Sequence, residues 1–301
     1  MNKYYSNNLV ILIFIIILFL QCTLYIEKFV IKPWKYNEHL VSNIDATNRI
    51  LIWEKTVHKF GLQEAKNIFP MTYILPRDIE KCINDNNKHF ILKTLRGFQR
   101  KGVILVNNKY DIYKNKDDYE VAQVYINNPL LINKFKFDVR TFIVVDCNYG
   151  IYLYKNSYNV YTKYPFNFKS MDRDKKINQV FTEDSHYDEN NLPRKFEDLI
   201  EYNIDVNKIY KNLAKKLQKV FIACEDICSF DDINNNENKY NIYGLDFEVL
   251  NNLDPIIIEI NSGPSLNFDE KWKQDITDNL EKYIIDKNYD KNFIKIMKVL
   301  N

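Results

Sequence analysis

The chain has 301 residues, and its 42 Lys and Arg nearly balance its 40 Asp and Glu. With 46% hydrophobic residues, this length allows one large domain or two to three small lobes around an apolar core. The balanced charge creates no overall field for a nucleic-acid partner, so we predict none. Five scattered cysteines, which we expect to be reduced, and four isolated histidines indicate neither a zinc site nor a histidine-based triad.

Residues 1–31 are predicted to be a membrane anchor or a signal segment. Leu9 to Ile26 is an almost unbroken apolar run, close to the shortest length that crosses a bilayer as a helix. Three lysines soon after the run outweigh Lys3 before it, which favours a membrane-anchored protein whose carboxyl-terminal domain faces the cytoplasm. The alternative is a signal peptide and a secretory route, although no small-x-small cleavage pattern follows the run.

A small amino-terminal lobe is predicted over residues 48–86 and a second lobe over residues 87–132. Apolar spacing predicts a helix from Arg49 to Phe69, and an extended segment, Met71 to Leu75, follows between two prolines. The second lobe is predicted to contain three short strands, Phe90–Thr94, Val103–Val106 and Val121–Ile126.

Lys93 ends an apolar strand just before a basic loop that holds Gly97 and Gly102. Small residues let backbone N–H groups approach phosphates, and the lysine supplies charge. The loop is not a P-loop, because no Gly-Lys-Ser/Thr follows. It indicates a nucleotide site only together with the other features of the chain.

The largest lobe is predicted over residues 133–301. It is expected to begin with a hairpin of two strands, Phe137–Asp146 and Ile151–Tyr154. The other elements predicted in this lobe are a loop at Tyr161–Arg194 and two amphipathic helices at Asn207–Cys224 and Asp269–Asp286.

Three charged residues alternate along the first strand of this lobe. Lys136, Asp138 and Arg140 are spaced at every second position, so they share one face of the strand while apolar residues take the other. A basic-acidic-basic stripe suits a phosphate and ribose site, in which lysine acts as a point charge and arginine makes paired hydrogen bonds. A solvated sheet face with a cross-strand salt bridge is the alternative.

An apolar β-ribbon near the carboxyl end carries three oxygen ligands. Its predicted strands are Ile242–Leu250 and Pro255–Asn261. If the turn is centred between its second and third residues, Asp246 lies across from Glu259 and Asn261 points to the same face. Buried carboxylates need a cation or a donor, and Mg²⁺ shared with nucleotide phosphates would satisfy all three groups. A surface hairpin with solvated acids is the alternative.

Six segments, in this order, resemble the tubulin-tyrosine ligase-like family of ATP-grasp amino acid ligases. The resemblance spans roughly Trp53 to Tyr283, and the Lys-Phe-Asp-x-Arg and Glu-x-Asn-x-x-Pro-Ser-Leu motifs together are specific. The six segments are Phe69–Pro76, Phe90–Lys93, Ala122–Ile126, Lys136–Arg140, Tyr243–Asp246 and Glu259–Leu266.

The resemblance implies an α+β, ATP-grasp fold with a small N-terminal lobe, a central lid lobe and a C-terminal lobe, preceded by one hydrophobic N-terminal helix. It implies ATP and Mg²⁺ as cofactors, and Arg140 and Lys93 as the catalytic residues. The implied contacts are Lys93 and Lys136 with phosphates or base, Gln123 and the backbone of Tyr125 and Ile126 with adenine, Asp138 with ribose, Arg140 with the γ-phosphate, and Asp246, Glu259 and Asn261 with Mg²⁺.

The implied reaction activates a carboxylate with ATP to an acyl phosphate, which the amine of a free amino acid then attacks. Relatives add tyrosine, glutamate or glycine to acidic tubulin tails, so tubulin or another acidic protein tail is the expected acceptor. A site built from Lys, Arg and metal ligands fits this chemistry, because phosphoryl transfer needs positioning and charge neutralisation more than a covalent nucleophile.

Three departures from the family pattern support a second hypothesis. Arg100 replaces the first of two lid-loop glycines, Asn159 stands where the family has a hairpin arginine, and the His-Leu-Thr-Asn motif is not recognisable near Phe181–Asp184. These changes leave the nucleotide motifs intact and affect acceptor binding or turnover. The alternative is therefore a catalytically silent ATP-binding module that tethers microtubules to a membrane.

Overall fold

A computed structural model gives the structure of the chain and describes residues 47–87, 89–95, 102–147, 149–177, 192–224, 240–289 and 291–298. Within these ranges the structure mixes α-helices with antiparallel β-sheets. The predicted hydrophobic N-terminal helix and Gly97 of the predicted phosphate loop lie outside the described residues.

Most of the predicted helices form, and one of them is divided. Asn48 caps the first helix by accepting hydrogen bonds from two backbone N–H groups with its side chain. Gly61 then adopts φ +82°, which ends this helix and starts another, so the single helix predicted to reach Phe69 is wrong. The α-helices are α1 (Arg49–Phe60), α2 (Leu62–Ile68), α3 (Ile79–Ile83), α4 (Lys109–Lys114), α5 (Val206–Cys224) and α6 (Lys271–Ile285).

Two antiparallel sheets organise the described residues. The smaller has the strand order β1-β4-β2-β3, and the larger has the order β10-β9-β6-β7-β11, with β5 and β8 also paired to β6. The strands are β1 (Thr72–Ile74), β2 (Phe90–Lys93), β3 (Val103–Val106), β4 (Val121–Val124), β5 (Leu131–Ile132), β6 (Phe135–Asp146), β7 (Gly150–Tyr154), β8 (Tyr158–Tyr161), β9 (Tyr240–Val249), β10 (Pro255–Ser262) and β11 (Phe293–Met297).

Each sheet packs against helices through its own apolar core. Helix α5 buries Leu213, Leu217 and Phe221 in the core of the larger sheet, as its amphipathic pattern predicts. The smaller sheet shares a separate core with residues such as Ile112 of α4. The long β6 strand is central in the larger sheet, and it therefore provides the rigid base on which the charged stripe is mounted.

The irregular segment between β7 and α5 contains more regular structure than its composition predicts. The predicted loop at Tyr161–Arg194 is wrong at its start, because β8 already pairs with β6 there. Two short 3-10 helices follow, at Arg173–Lys175 and Glu197–Tyr202. Strand β11, which was not predicted although four of its five residues are apolar, completes the sheet beside β7.

The predicted membrane anchor is corrected. In the part of the chain that the structure describes, no helix is both long and apolar enough to cross a bilayer. The apolar run from Leu9 to Ile26, on which the prediction of a membrane partner and of a membrane-anchored localisation was based, lies outside those ranges.

The cysteines differ in state. Cys82 and Cys224 are buried, reduced thiols, as expected. Cys147, just after the end of β6, is disulfide-bonded, so the expectation of reduced thiols is wrong at that position.

Candidate functional site

The β9–β10 ribbon brings Asp246 opposite Glu259, as the sequence predicts. The reason differs from the prediction. Near the turn the pairing follows a register that would place Ile258 opposite Asp246, and a β-bulge between Ile257 and Glu259 shifts it by one residue. Because successive side chains of a strand point to opposite faces, this extra residue turns the Glu259 carboxylate towards Asp246.

Asn261 completes the cluster of three oxygen-bearing side chains. Its Nδ2 donates to Glu259 Oε1 at 3.0 Å and to Asp246 Oδ2 at 3.3 Å. All three side chains are therefore close together on one face of the ribbon. The alternative of a solvated surface hairpin does not hold, since both carboxylates are largely buried.

Arg140 neutralises Asp246. The two residues are partners across β6 and β9, and the guanidinium engages both carboxylate oxygens, with Nη2 donating to Oδ2 at 2.7 Å and Nε donating to Oδ1. Gly244 lies beside this pair, where a Cβ atom would be 3.1 Å from Pro264 Cβ and 3.6 Å from Arg140 Nη1. The motif glycine thus allows the close approach of Pro264, while the contact with the arginine would be an ordinary one.

Arg49, the first residue of α1, neutralises Glu259 from the other end of the chain. Its Nε donates to Glu259 Oε2 at 3.2 Å, its Nη2 donates to the same oxygen, and its Nη1 donates to the backbone oxygen of Thr94 at 3.2 Å. The guanidinium therefore joins the amino-terminal helix, the end of β2 and the ribbon. Burial alone would raise the pKa of Glu259, but Arg49 and Lys93 lower it to about 2.

Lys93 is the buried last residue of β2 and belongs to the same electrostatic group. Burial lowers its pKa to about 8, helped by the positive charges of Arg49 and Lys136 and opposed by Glu259 and Asp138. Gly102 closes the loop that follows Lys93. It adopts φ +81° and packs so tightly on Thr94 that a Cβ atom would clash with the threonine side chain.

The charged stripe on β6 occupies one face, as predicted, with Lys136 buried and Asp138 and Arg140 half-buried. Lys136 Nζ lies 2.8 Å from Glu248 Oε2, and these side chains are only 6% and 2% exposed. Asp138 is the register partner of Glu248 across β6 and β9. Burial, together with the nearby Asp138 carboxylate, raises the pKa of Glu248 to about 8 against the opposing effect of Lys136.

The end of β4 supplies the predicted base-contacting residues. Gln123 is buried, and its Nε2 donates to Thr72 Oγ1 at 3.0 Å, so its amide is held by the neighbouring strand. Tyr125 is buried and Ile126 is half-buried just beyond the strand. We call Asp246, Glu259 and Asn261 with Arg140, Arg49 and Lys93 the ribbon end, and Tyr125, Ile126, Lys136, Asp138 and Glu248 the base end. Gln123 lines a pocket with Arg49 and Glu259 of the ribbon end.

The donor set fits a hard divalent cation. Two carboxylates and one amide meet at the ribbon end, and Mg²⁺ prefers such oxygen ligands, with water and phosphate completing its coordination. Among the described residues, no three His, Cys, Asp or Glu side chains gather in one place, so the candidate cation site depends on Asn261 as the third group. Each carboxylate carries an arginine that a cation can replace as its partner.

Three residues of this region were not predicted from the sequence. Glu248 follows Asp246 at the alternate position of β9, so strand periodicity could have placed it on the same face. Arg49 gave no signal, because it is 210 residues from its partner Glu259. Lys176 gave none either, since it lies in the segment predicted to be a loop.

Comparison with known proteins identifies the family. A family model described as the tubulin-tyrosine ligase family matches residues 28–295. The chain belongs to the tubulin-tyrosine ligase family. Tubulin glycylase 3C of Tetrahymena thermophila is 26% identical over 237 residues, covering 71% of this chain and 22% of that protein.

Two further members of the tubulin-tyrosine ligase family give a similar result. Tubulin polyglutamylase TTLL5 of Mus musculus is 25% identical over 267 residues, which cover 77% of this chain and 19% of that protein. Probable tubulin polyglutamylase TTLL2 of Homo sapiens is 21% identical over 269 residues, which cover 79% of this chain and 44% of that protein. The chain thus spans roughly a fifth of the glycylase and of TTLL5 and under half of TTLL2.

Proposed function

We propose that the protein is an ATP-dependent ligase of the ATP-grasp type that joins an amino acid to a protein acceptor. The supporting observation is the convergence of Asp246, Glu259 and Asn261 on one ribbon face, directly beside Arg140 and Lys93. Family membership makes nucleotide chemistry the natural use of that arrangement. The proposed lobes are the amino-terminal lobe 48–86, the lid lobe 87–132 and the carboxyl-terminal lobe 133–301.

In this proposal, Asp246, Glu259 and Asn261 hold Mg²⁺, which neutralises phosphate charge when it is bound with ATP. Asn261 presents its Nδ2 to both acids, so its side chain would have to rotate for the amide oxygen to hold the ion. Arg140, released from Asp246, is free to make paired hydrogen bonds to the γ-phosphate. Lys93 supplies a second, compact charge for phosphate.

The base end has a separate task in the same proposal. Gln123, with the backbone of Tyr125 and Ile126, contacts adenine, while Asp138 accepts hydrogen bonds from ribose hydroxyl groups. Lys136 stays paired with Glu248 and contributes positive charge near the base or the phosphates. Binding both ends of ATP fixes the γ-phosphate relative to the acceptor carboxylate, which is the main contribution that a protein makes to phosphoryl transfer.

Tubulin is the proposed acceptor, because the relatives include tubulin glycylases and tubulin polyglutamylases. The decisive experiment incubates the purified chain with MgATP, tubulin and labelled glycine, glutamate or tyrosine in separate reactions. ATP-dependent incorporation of one label supports the ligase. Glu259→Gln is the matched control, since it changes one ribbon carboxylate to an amide of the same size. Absence of all three labels from tubulin, with ATP bound, contradicts ligation to tubulin.

A nucleotide-binding module without ligase turnover is the second candidate, and the environment of Asn159 favours it. Asn159 stands where the family pattern has an arginine, and here it is fully buried, with Nδ2 donating to the backbone oxygens of Pro193 at 2.8 Å and Lys195 at 3.2 Å. Its side chain is used to fix the chain after β8. Tight ATP binding with no incorporation of any label would select this candidate.

A further inference from the structure

Lys176 is a buried cation without a hydrogen-bond acceptor. The residue is 1% exposed, and its Nζ has no hydrogen-bond partner in the part of the chain that the structure describes. Lysine is almost never fully buried unless it is paired, because removing an ammonium from water costs free energy that a partner must offset. Its three N–H donors are available to a bound molecule.

Aromatic rings surround this ammonium. Nζ lies 5.0 Å from the centroid of the Tyr125 ring and 5.3 Å from that of Phe168, and the edge of His89 packs against Phe168 at 4.6 Å. These cation–π contacts offset part of the free-energy cost of burying the ammonium. They do not provide a hydrogen-bond acceptor for any of its N–H groups. Flat aromatic rings beside a donor without an acceptor are suited to a planar heterocycle that has acceptor atoms on its ring.

The backbone of Lys176 is fixed to the base end. Its carbonyl oxygen accepts hydrogen bonds from the hydroxyl of Tyr125 at 2.9 Å and from Lys136 Nζ at 3.4 Å. Lys136 itself is committed to Glu248 at 2.8 Å. Of the two lysines that face the Tyr125 ring, Lys176 is therefore the one whose ammonium is not held by a carboxylate.

We infer that Lys176 reads the purine base of the bound nucleotide by donating a hydrogen bond from Nζ to a ring nitrogen. The inference rests on the proposed ATP site and deepens it by adding a specificity-determining residue. A phosphate is the less suitable ligand here. The proposed phosphate-binding residues, Arg140 and Lys93, lie with the ribbon carboxylates, whereas Lys176 lies among aromatic rings beside Tyr125.

The test measures binding by calorimetry with ATP, 1-deaza-ATP, 7-deaza-ATP and tripolyphosphate, so that it does not depend on turnover. The wild-type chain is expected to bind one deaza analogue about 10-fold to 100-fold more weakly than ATP, the range for losing a hydrogen bond to a charged group. Lys176→Met keeps the apolar stem of the side chain. It is expected to weaken ATP binding by the same factor, so that ATP and that analogue then bind with equal affinity.

Lys175→Met is the matched control, because Lys175 is the exposed neighbour and should leave all four affinities unchanged. Thermal unfolding of each variant checks that the fold is retained. An analogue penalty that persists in Lys176→Met, or an equal loss of tripolyphosphate and ATP binding, overturns the inference while the ATP site stands. Failure of the folded wild-type chain to bind ATP at all overturns the proposed function as well.

Discussion

The ribbon end and the base end of the candidate site handle buried charge in different ways. At the ribbon end each carboxylate is matched by an arginine, Asp246 by Arg140 and Glu259 by Arg49. At the base end, Lys136 contacts Glu248, while the Lys176 ammonium lacks an acceptor among the described residues. Under the proposed function, a metal ion would replace an arginine at the first end, and a ligand would supply the missing acceptor at the second.

The largest effect is expected from Glu259→Gln at the ribbon end. Losing one of two carboxylates removes charge that a divalent cation requires, so Mg²⁺-dependent ATP turnover should fall by about 10²-fold to 10³-fold. The measurement is the steady-state rate at saturating MgATP, with thermal unfolding as the check on the fold. Unchanged turnover would refute the assignment of Glu259 as a metal ligand.

Arg140→Gln is expected to reduce stability as well as activity. It leaves Asp246 with its charge largely buried, and breaking such a pair should lower the free energy of unfolding by about 2–3 kcal/mol, less than for a fully buried pair. Urea unfolding measures this effect. The double variant Arg140→Gln, Asp246→Asn should recover part of the loss, and additive losses would show that the ion pair does not couple the two residues.

Lys93 should make ATP affinity dependent on pH. Its ammonium is protonated below a pKa of about 8, so the charge that holds phosphate is present at pH 7 and is progressively lost from pH 8 to pH 9. Affinity measured by calorimetry should fall about fivefold from pH 8 to pH 9, because the protonated fraction of Lys93 falls from about one half to about one tenth. Lys93→Arg keeps its charge throughout and should flatten the profile. A wild-type profile as flat as that of the arginine variant would contradict the role of Lys93.

The smallest effect is expected from Arg49→Gln. Without the guanidinium, Glu259 loses its ion-pair partner, so Mn²⁺ should bind the nucleotide-free protein about twofold to fivefold more tightly, the range for one partly exposed ion pair. Electron paramagnetic resonance of free Mn²⁺ measures this. Arg77→Gln, which breaks an exposed pair with Glu54, is the control. Weaker Mn²⁺ binding would mean that Arg49 supports the ligand instead of competing with it.

The two ends also differ in how far the sequence predicts them. Strand alternation and the resemblance located Asp246, Glu259, Asn261 and Arg140, because neighbouring strands place such residues together whatever lies elsewhere in the chain. The elements β2, β3, β6, β7, α5 and α6 were likewise predicted to within a few residues. Their apolar periodicity is strong, and periodicity is the signal that a single sequence carries best.

Contacts between distant, irregular segments could not be predicted. Arg49 reaches Glu259 across most of the chain, and Lys176 reaches Tyr125 from a segment without period. Such contacts depend on tertiary packing, which local sequence does not encode. Strand β11 is a different case, because its apolar sequence carries a strand signal that the prediction missed. The prediction of a membrane anchor is a separate case. It depended on residues that the structure does not describe, and no helix among the described residues can cross a bilayer.

Because of the bulge at Ile258, the number of residues between the Asp and the Glu of the ribbon is a poor criterion for recognising relatives. A ribbon one residue shorter, with regular pairing throughout, would bring the same two acids face to face. The number of residues between the Asp and the Glu can therefore change by one during evolution, provided that a β-bulge is gained or lost at the same time. The lateral partnership of Asp246 with Arg140 has no such freedom, and a search for remote homologues should weight it more heavily than loop length.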